Sequence, residues 1–220
     1  MVRNNISRKL TDWVLCNSSY SLEPAAFDTN PMIRPIGPLL ASNRFGDTTG
    51  SFWPEDSTCL KWLDQQQSQS FIPFLWVVRP DAYPAGFQDR VGANDLIVSW
   101  APQQKVLEHQ SVACFVSHCG WNSTMEGVSN GIPFLCWPYF ADQFHNKSYL
   151  CDVWKVGLVF NRDERGIITR DEIKAKVEQL LLENSKYKAN ALNLKEKVMN
   201  SIKGGESYCN FMNFVDWVKS

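Results

Sequence analysis

From Cys59 to the C-terminus, short apolar runs alternate with longer stretches in which apolar residues recur every three or four positions. Five runs, at 74–78 (F-L-W-V-V), 96–100 (L-I-V-S-W), 113–117 (A-C-F-V-S), 134–137 (F-L-C-W) and 157–160 (G-L-V-F), are apolar almost throughout. Uninterrupted rather than alternating apolar strands predict a parallel sheet covered on both faces. Thr169 and Glu172 stand at capping-box spacing, flanked by Ile168 and Ile173 at staple spacing, so a helix is expected there. Its apolar stripe is Ile173, Val177, Leu180 and Leu181. A second helix, about 186–202, puts Tyr187, Ala191, Leu194, Val198 and Ile202 on one face and stops at Gly204-Gly205. A last helix places Tyr208, Phe211, Val215 and Val218 on one side. The pattern predicts an α/β protein with a Rossmann-like parallel sheet.

The first 58 residues read differently. Pro24, Pro31, Pro35, Pro38 and Pro54 punctuate them, and a Gly/Ser/Thr-rich patch covers 43–51. An extended linker is expected there rather than a core. The chain thus divides into 1–58, a sheet-and-helix domain over 59–203, and a terminal helix over 204–220.

Composition narrows the class only a little. An apolar fraction of 44% and a charged fraction of 20% suit a soluble globule. A net charge of −1 gives no reason to expect nucleic acid or an anionic membrane as partner. Seven scattered cysteines without a C-x-x-C pair favour a reducing, cytoplasmic setting over a disulfide framework. No apolar run approaches the ~18 residues of a membrane span. Cys114, His118, Cys119 and Cys136 match no common zinc spacing, so no metal is expected. The G-x-S-x-G elbow of a serine hydrolase is missing.

The chemistry concentrates in 100–143, W-A-P-Q-Q-K-V-L-E-H-Q-S-V-A-C-F-V-S-H-C-G-W-N-S-T-M-E-G-V-S-N-G-I-P-F-L-C-W-P-Y-F-A-D-Q. After the run ending at Ser117, Gly120 allows a tight turn, and a helix is expected to begin near Asn122 or Ser123. A helix start offers N–H groups and a positive dipole end to a diphosphate. Asn122 and Ser123 suit either capping that helix or donating to phosphate. His118, at the strand's carboxyl end, can donate to the same group, and ligands of open α/β sheets sit at that edge. Glu126, one turn on, could accept two ribose hydroxyls or simply complement the dipole. Trp100, at another strand end and followed by Ala101 and Gln103, offers a flat face to a base or a ring to the core. Asp142 and Gln143, after Phe140, suit sugar hydroxyls, or a helix cap and a surface amide. Singly, each of these residues has an ordinary structural reading; their order in one segment is what points to a sugar nucleotide.

That order resembles the donor-binding signature box of plant UDP-dependent glycosyltransferases acting on small molecules. The stretches T-D-W-V-L-C-N-S-S-Y-S-L-E-P (11–24), I-G-P-L-L (36–40) and F-L-W-V-V-R-P-D (74–81), with the C-terminal helices, look like the same family. The resemblance implies the C-terminal domain of the two-Rossmann-domain GT-B fold. It implies that Trp100 stacks the uracil, that Ala101 and Gln103 hold base and ribose, and that Glu126 holds the ribose. His118, Asn122 and Ser123 would hold the phosphates, while Trp121, Asp142 and Gln143 would contact the sugar. Gly120, Thr124 and Phe140 complete the expected donor site. A Gln at 143 is associated in the family with glucose. The implied reaction is inverting transfer of a sugar from a UDP-sugar co-substrate to a small-molecule acceptor, with no cofactor and no metal.

Two parts of the family pattern are missing. Members carry in an N-terminal domain a His general base, oriented by an Asp, and such help is worth roughly 10²–10⁴-fold in rate. None of His109, His118 and His145 lies in that motif, so no catalytic residue is assigned, and 1–58 reads as the remnant of that domain with the linker. Second, C-L-K-W-L-D (59–64) should lead into an apolar strand, a phosphate-proximal loop and a helix, but Q-Q-Q-S-Q-S-F-I-P (65–73) runs straight to Phe74. The first βα unit is therefore expected to be absent, as in a truncated gene model, a splice product or a pseudogene product. In a sheet of order 3-2-1-4-5-6 that loss removes the central strand, so its two neighbours either pair directly or keep open edges. The sequence thus reads as the donor-binding half of a UDP-sugar transferase. The alternative is a catalytically silent fragment that binds a UDP-sugar or a protein partner.

Overall fold

The computed structural model describes residues 11–40, 58–66, 72–78, 82, 86, 87, 89, 91–182 and 186–220. The linker patch at 43–51 and most of 65–73 lie outside them. The chain forms two compact units, Met1–Leu40 with Val116–Ser220, and Ala41–Phe115, a division different from the boundaries read in the sequence.

In the first unit, β1 (Val14–Cys16), α1 (Pro24–Thr29) and β2 (Ile33–Pro35) make a small parallel pair with its connecting helix. The expected irregular linker is corrected here. Pro24 opens α1, where its missing N–H costs nothing, and Pro35 closes β2. Leu22, Phe27 and Ile36 are buried, so this stretch has a core of its own.

The same unit holds β5 (Phe115–Ser117), β6 (Phe134–Cys136) and β7 (Gly157–Val159) in the order β5-β6-β7. The division between units falls inside β5. Helix α4 (Trp121–Asn130) connects β5 to β6. Helix α5 (Gln143–Ser148) runs directly into a π-helical turn (Tyr149–Val153) ahead of β7. Phe134, Leu135 and Cys136 are fully buried, so β6 is covered on both faces as expected. Phe134 fits because Gly127 of α4 has no Cβ; one there would run into the Phe134 ring.

Helices α6 (Arg170–Leu181) and α7 (Lys186–Ile202) follow the expected stripes, with Leu180, Ala191, Leu194, Val198 and Ile202 buried. The capping box is half made. The Thr169 side chain accepts from the Glu172 N–H at 3.2 Å, but the Glu172 carboxylate turns away to accept from the Asn161 N–H at 2.8 Å. The face expected for the last helix is corrected. In α8 (Glu206–Lys219), Tyr208 and Val218 are exposed, while Ser207 is buried and Asn210 Nδ2 donates to the Pro35 carbonyl at 3.0 Å. Phe214 and Trp217 pack with Trp13, so docking onto the 11–40 stretch sets the inward face.

In the second unit, α2 (Thr58–Asp64), β3 (Leu75–Val77), β4 (Leu96–Val98) and α3 (Gln103–Glu108) surround one parallel strand pair, β3-β4. All five expected strands exist, each trimmed to three residues. Coverage on both faces holds for β6 but not for β3, where Trp76 and Val77 are exposed, nor for β5, where Val116 is 51% exposed. Among the described residues β3 has β4 as its ladder partner and β5 has β6.

Candidate functional site

Residues 117–120 make a turn that the backbone alone would resist. Cys119 takes φ 65°, a left-handed conformation rare for a side chain with a Cβ. Two side chains hold it there. Ser117 Oγ accepts from the Cys119 N–H at 3.0 Å, and Asn146 Nδ2 donates to the Cys119 carbonyl at 2.9 Å. The turn leaves His118 exposed, with its ring over Gly120, where a Cβ would collide with Nε2. The imidazole lies 6.5 Å from the Tyr139 ring, centroid to centroid.

Helix α4 begins earlier than expected, with Gly120 as its N-cap and no side-chain cap hydrogen bond. Asn122 and Ser123 therefore stand in the first turn rather than at the cap, which removes the capping reading for both. Asn122 is exposed and Ser123 half-buried. Glu126 is half-buried in the second turn. Thr124 departs from the expected site. It is fully buried, with no hydrogen-bond partner for its hydroxyl, so its side chain is part of the helix's inner face. Trp121 Nε1 donates to the Asn17 carbonyl at 2.7 Å, which ties the start of α4 to the end of β1 and leaves only the ring to meet a ligand.

The loop after β6 brings a second group to the turn. Tyr139 and Phe140 are 72% and 68% exposed, as apolar surface facing solvent. Gln143 is buried, and its Oε1 accepts from the backbone N–H groups of Tyr139 at 3.0 Å and Phe140 at 2.9 Å. Half of the amide expected for sugar hydroxyls is thus spent shaping the loop. Asp142 is exposed, and its Oδ2 accepts from Asn146 Nδ2 at 2.9 Å. Asn146, buried on α5, therefore spans the Cys119 carbonyl and the Asp142 carboxylate. The sequence reading stopped at Gln143 and missed it; the signal available was its position one helical turn after Asp142.

Trp100, Ala101 and Gln103 belong to the second unit. Trp100 is half-buried two residues past the end of β4, Ala101 is buried, and exposed Gln103 is the first residue of α3. In the same unit His109 Nε2 lies 3.1 Å from Asp64 Oδ1, a pairing that resembles a base and its orienting acid. Its Nδ1, however, accepts from the Ser111 N–H at 3.2 Å. With Nδ1 accepting, Nε2 carries the proton toward Asp64, so neither nitrogen is left to take one from a substrate. His145 packs edge-on against Tyr149 at 5.1 Å. Among the described residues no group of three His, Cys, Asp or Glu side chains could hold a metal ion, and no helix is long and apolar enough to cross a membrane.

Comparison with known proteins gives the family. The sequence profile of the UDP-glucoronosyl and UDP-glucosyl transferase family matches residues 66–199. UDP-glycosyltransferase 83A1 of Arabidopsis thaliana is 46% identical over 252 residues, an alignment that takes in 100% of this chain and 53% of the relative. The crystal structure of Os79 from O. sativa in complex with UDP superposes with a TM-score of 0.84 at 29% identity, covering 95% of this chain and 56% of that one. Phytolacca americana UGT2, solved with UDP-2fluoro-glucose and pterostilbene, gives a TM-score of 0.79 at 31% identity over 96% of this chain and 55% of that one. The chain thus spans about half the length of the relatives it matches, within the GT-B architecture they share. The Arabidopsis alignment needs 252 positions for 220 residues, so at least 252 − 220 = 32 of its positions face no residue of this chain. The chain belongs to the UDP-glucoronosyl and UDP-glucosyl transferase family.

Proposed function

We propose that this chain carries the donor half of a transferase that moves a sugar, glucose in the first instance, from a UDP-sugar to a small-molecule hydroxyl or carboxyl, with inversion. The observation that carries the reading is the turn at 117–120. Ser117 and Asn146 hold a strained Cys119 so that His118 and the uncapped start of α4 face outward together, with Asp142 keyed to the same Asn146. A diphosphate at the helix start would accept from backbone N–H groups and from His118, which would also offset charge on the departing UDP. Glu126 would accept from ribose hydroxyls, Asp142 from those of the sugar, and Asn122, Ser123, Gly120 and the Trp121 ring would line the path between them. Phe140 and Gln143 set the loop beside the sugar. In the second unit, the family resemblance assigns the base to Trp100, Ala101 and Gln103. A UDP-sugar co-substrate requires no metal or further cofactor in this scheme. We place the protein in the cytoplasm, where its thiols stay reduced, with no nucleic-acid partner.

No histidine here is offered as the base. His109 is occupied at both nitrogens, and that observation supports the second reading, a chain that binds a UDP-sugar without turning it over. Isothermal titration of UDP into the wild-type chain, His118→Ala and Glu126→Ala tests the donor site. A loss of about tenfold or more in each variant is expected, as for a charge-assisted hydrogen bond worth ~1.5–3 kcal/mol. Measurable wild-type binding that both variants keep unchanged would remove the assignment. Incubation with UDP-glucose and a panel of phenols separates the two readings: glucoside at a rate typical of the family would eliminate the silent one.

A further inference from the structure

Beneath the turn, two cysteines that the donor site does not use come close together. Cys136 is the last residue of β6, fully buried, and Cys151 sits half-buried in the π-helical turn that follows α5. Their Sγ atoms are 3.7 Å apart. A disulfide needs ~2.05 Å, so the pair is one side-chain adjustment from bonding distance. Cys119 is also near Cys136, but its thiol donates to the Ser117 carbonyl at 3.5 Å, and its backbone is pinned by Ser117 and Asn146. Cys151, whose thiol hydrogen-bonds to Cys136 itself, is therefore the partner that closes on it.

We propose that Cys136 and Cys151 are a redox-active dithiol that closes to a disulfide when a hydroperoxide reaches Cys151. With hydrogen peroxide, Cys151 gives its proton to solvent and its thiolate attacks one peroxide oxygen; the O–O bond breaks, giving a sulfenic acid and hydroxide, which takes up that proton to become water. The Cys136 sulfur then attacks the Cys151 sulfur. The S–O bond breaks, and the hydroxyl leaves as water with the Cys136 proton. Two thiols lose two electrons and the peroxide is reduced to two waters; an external dithiol reverses the step.

The order of events follows from the surroundings. The Cys151 thiol is held below its ordinary range, first by the hydrogen bond with Cys136 and then by the Lys147 ammonium, against the opposing effect of burial. Cys136 is pushed up, by its bonds with Cys119 and Cys151 and by burial. Cys151, half-buried where Cys136 is fully buried, is thus the thiol that a peroxide reaches first, and Cys136 is the resolving thiol. Cys114, pushed up to about 11 by burial alone, supplies an internal control.

The inference is independent of the donor-site reading. The test treats the wild-type chain, Cys151→Ser and Cys114→Ser with hydrogen peroxide and maps peptides without reduction. Wild type and Cys114→Ser are expected to lose about two mass units and yield a peptide pair joined at Cys136 and Cys151, reversed by dithiothreitol. Cys151→Ser, a half-buried and near-isosteric change, should yield none. A wild-type chain that stays reduced, that links Cys136 to Cys119, or that carries Cys151 as sulfinic acid beside a free Cys136 would overturn the proposal.

Discussion

Two strands of similar composition fare very differently in this molecule. β6 (F-L-C) is buried at every residue, lies between β5 and β7, and carries Phe134 in the space opposite Gly127. Among the described residues β3 (L-W-V) pairs with β4 alone and leaves Trp76 39% and Val77 49% exposed. Apolar content does not explain the contrast. What differs is the number of neighbours, since an apolar strand is covered only when ladders and helices flank it on both sides. At least 32 positions of the Arabidopsis relative have no counterpart here. The contrast between β6 and β3 is therefore one of flanking within each unit, not of composition.

That contrast can be broken by substitution. Phe134→Ala should destabilise the first unit by ~3–5 kcal/mol, the cost of emptying a fully buried aromatic site. Trp76→Ala should cost ~1–2 kcal/mol, less than Phe134→Ala because the Trp76 ring already stands 39% exposed and leaves no closed cavity. Urea denaturation followed by far-UV circular dichroism checks both, and equal costs would end the comparison. Hydrogen exchange sharpens it without mutation. Amides of Leu135 and Cys136 should be protected at least ~100-fold more than those of Trp76 and Ile97, because a two-stranded sheet opens locally at little cost.

A smaller effect tests the site. Asn146→Ala removes the hydrogen bonds to the Cys119 carbonyl and to Asp142, and should cost ~1–3 kcal/mol in stability. It should also weaken UDP binding several-fold through the relaxed turn, with thermal denaturation and titration as the two readouts. Undiminished UDP affinity in a destabilised variant would make Asn146 a core residue only. The smallest effect is at α6, where Thr169→Ala should cost ~1 kcal/mol by removing its cap, while Glu172→Gln, whose carboxylate leaves the cap unfinished, should cost less.

The strands were legible because each apolar run is bounded by polar or glycine residues; their ends were overextended because ladder length depends on a partner the run does not name. The β1-α1-β2 stretch was hidden by its prolines, which read as linker punctuation although Pro24 and Pro35 occupy positions a helix start and a strand end tolerate. On α8 the periodicity allowed Tyr208 and Val218 on the inner face, and only the packing of Phe214 and Trp217 with Trp13 decides against them. Within the site, the turn and helix were readable from H-C-G-W-N-S. The inward direction of Thr124 and the capture of Gln143 by the Tyr139 and Phe140 N–H groups depend on side-chain geometry that residue type does not encode.

On the proposed reading, a UDP-sugar engages the turn at 117–120, the start of α4 and the Asp142–Asn146 segment together. Hydrogen-exchange mass spectrometry of the wild-type chain with and without saturating UDP-glucose tests this most directly. The expected result is added protection in peptides covering 118–126 and 142–146, with peptides of α7 and α8 unchanged. Bound UDP-glucose that leaves 118–126 exchanging at its unliganded rate would contradict the account.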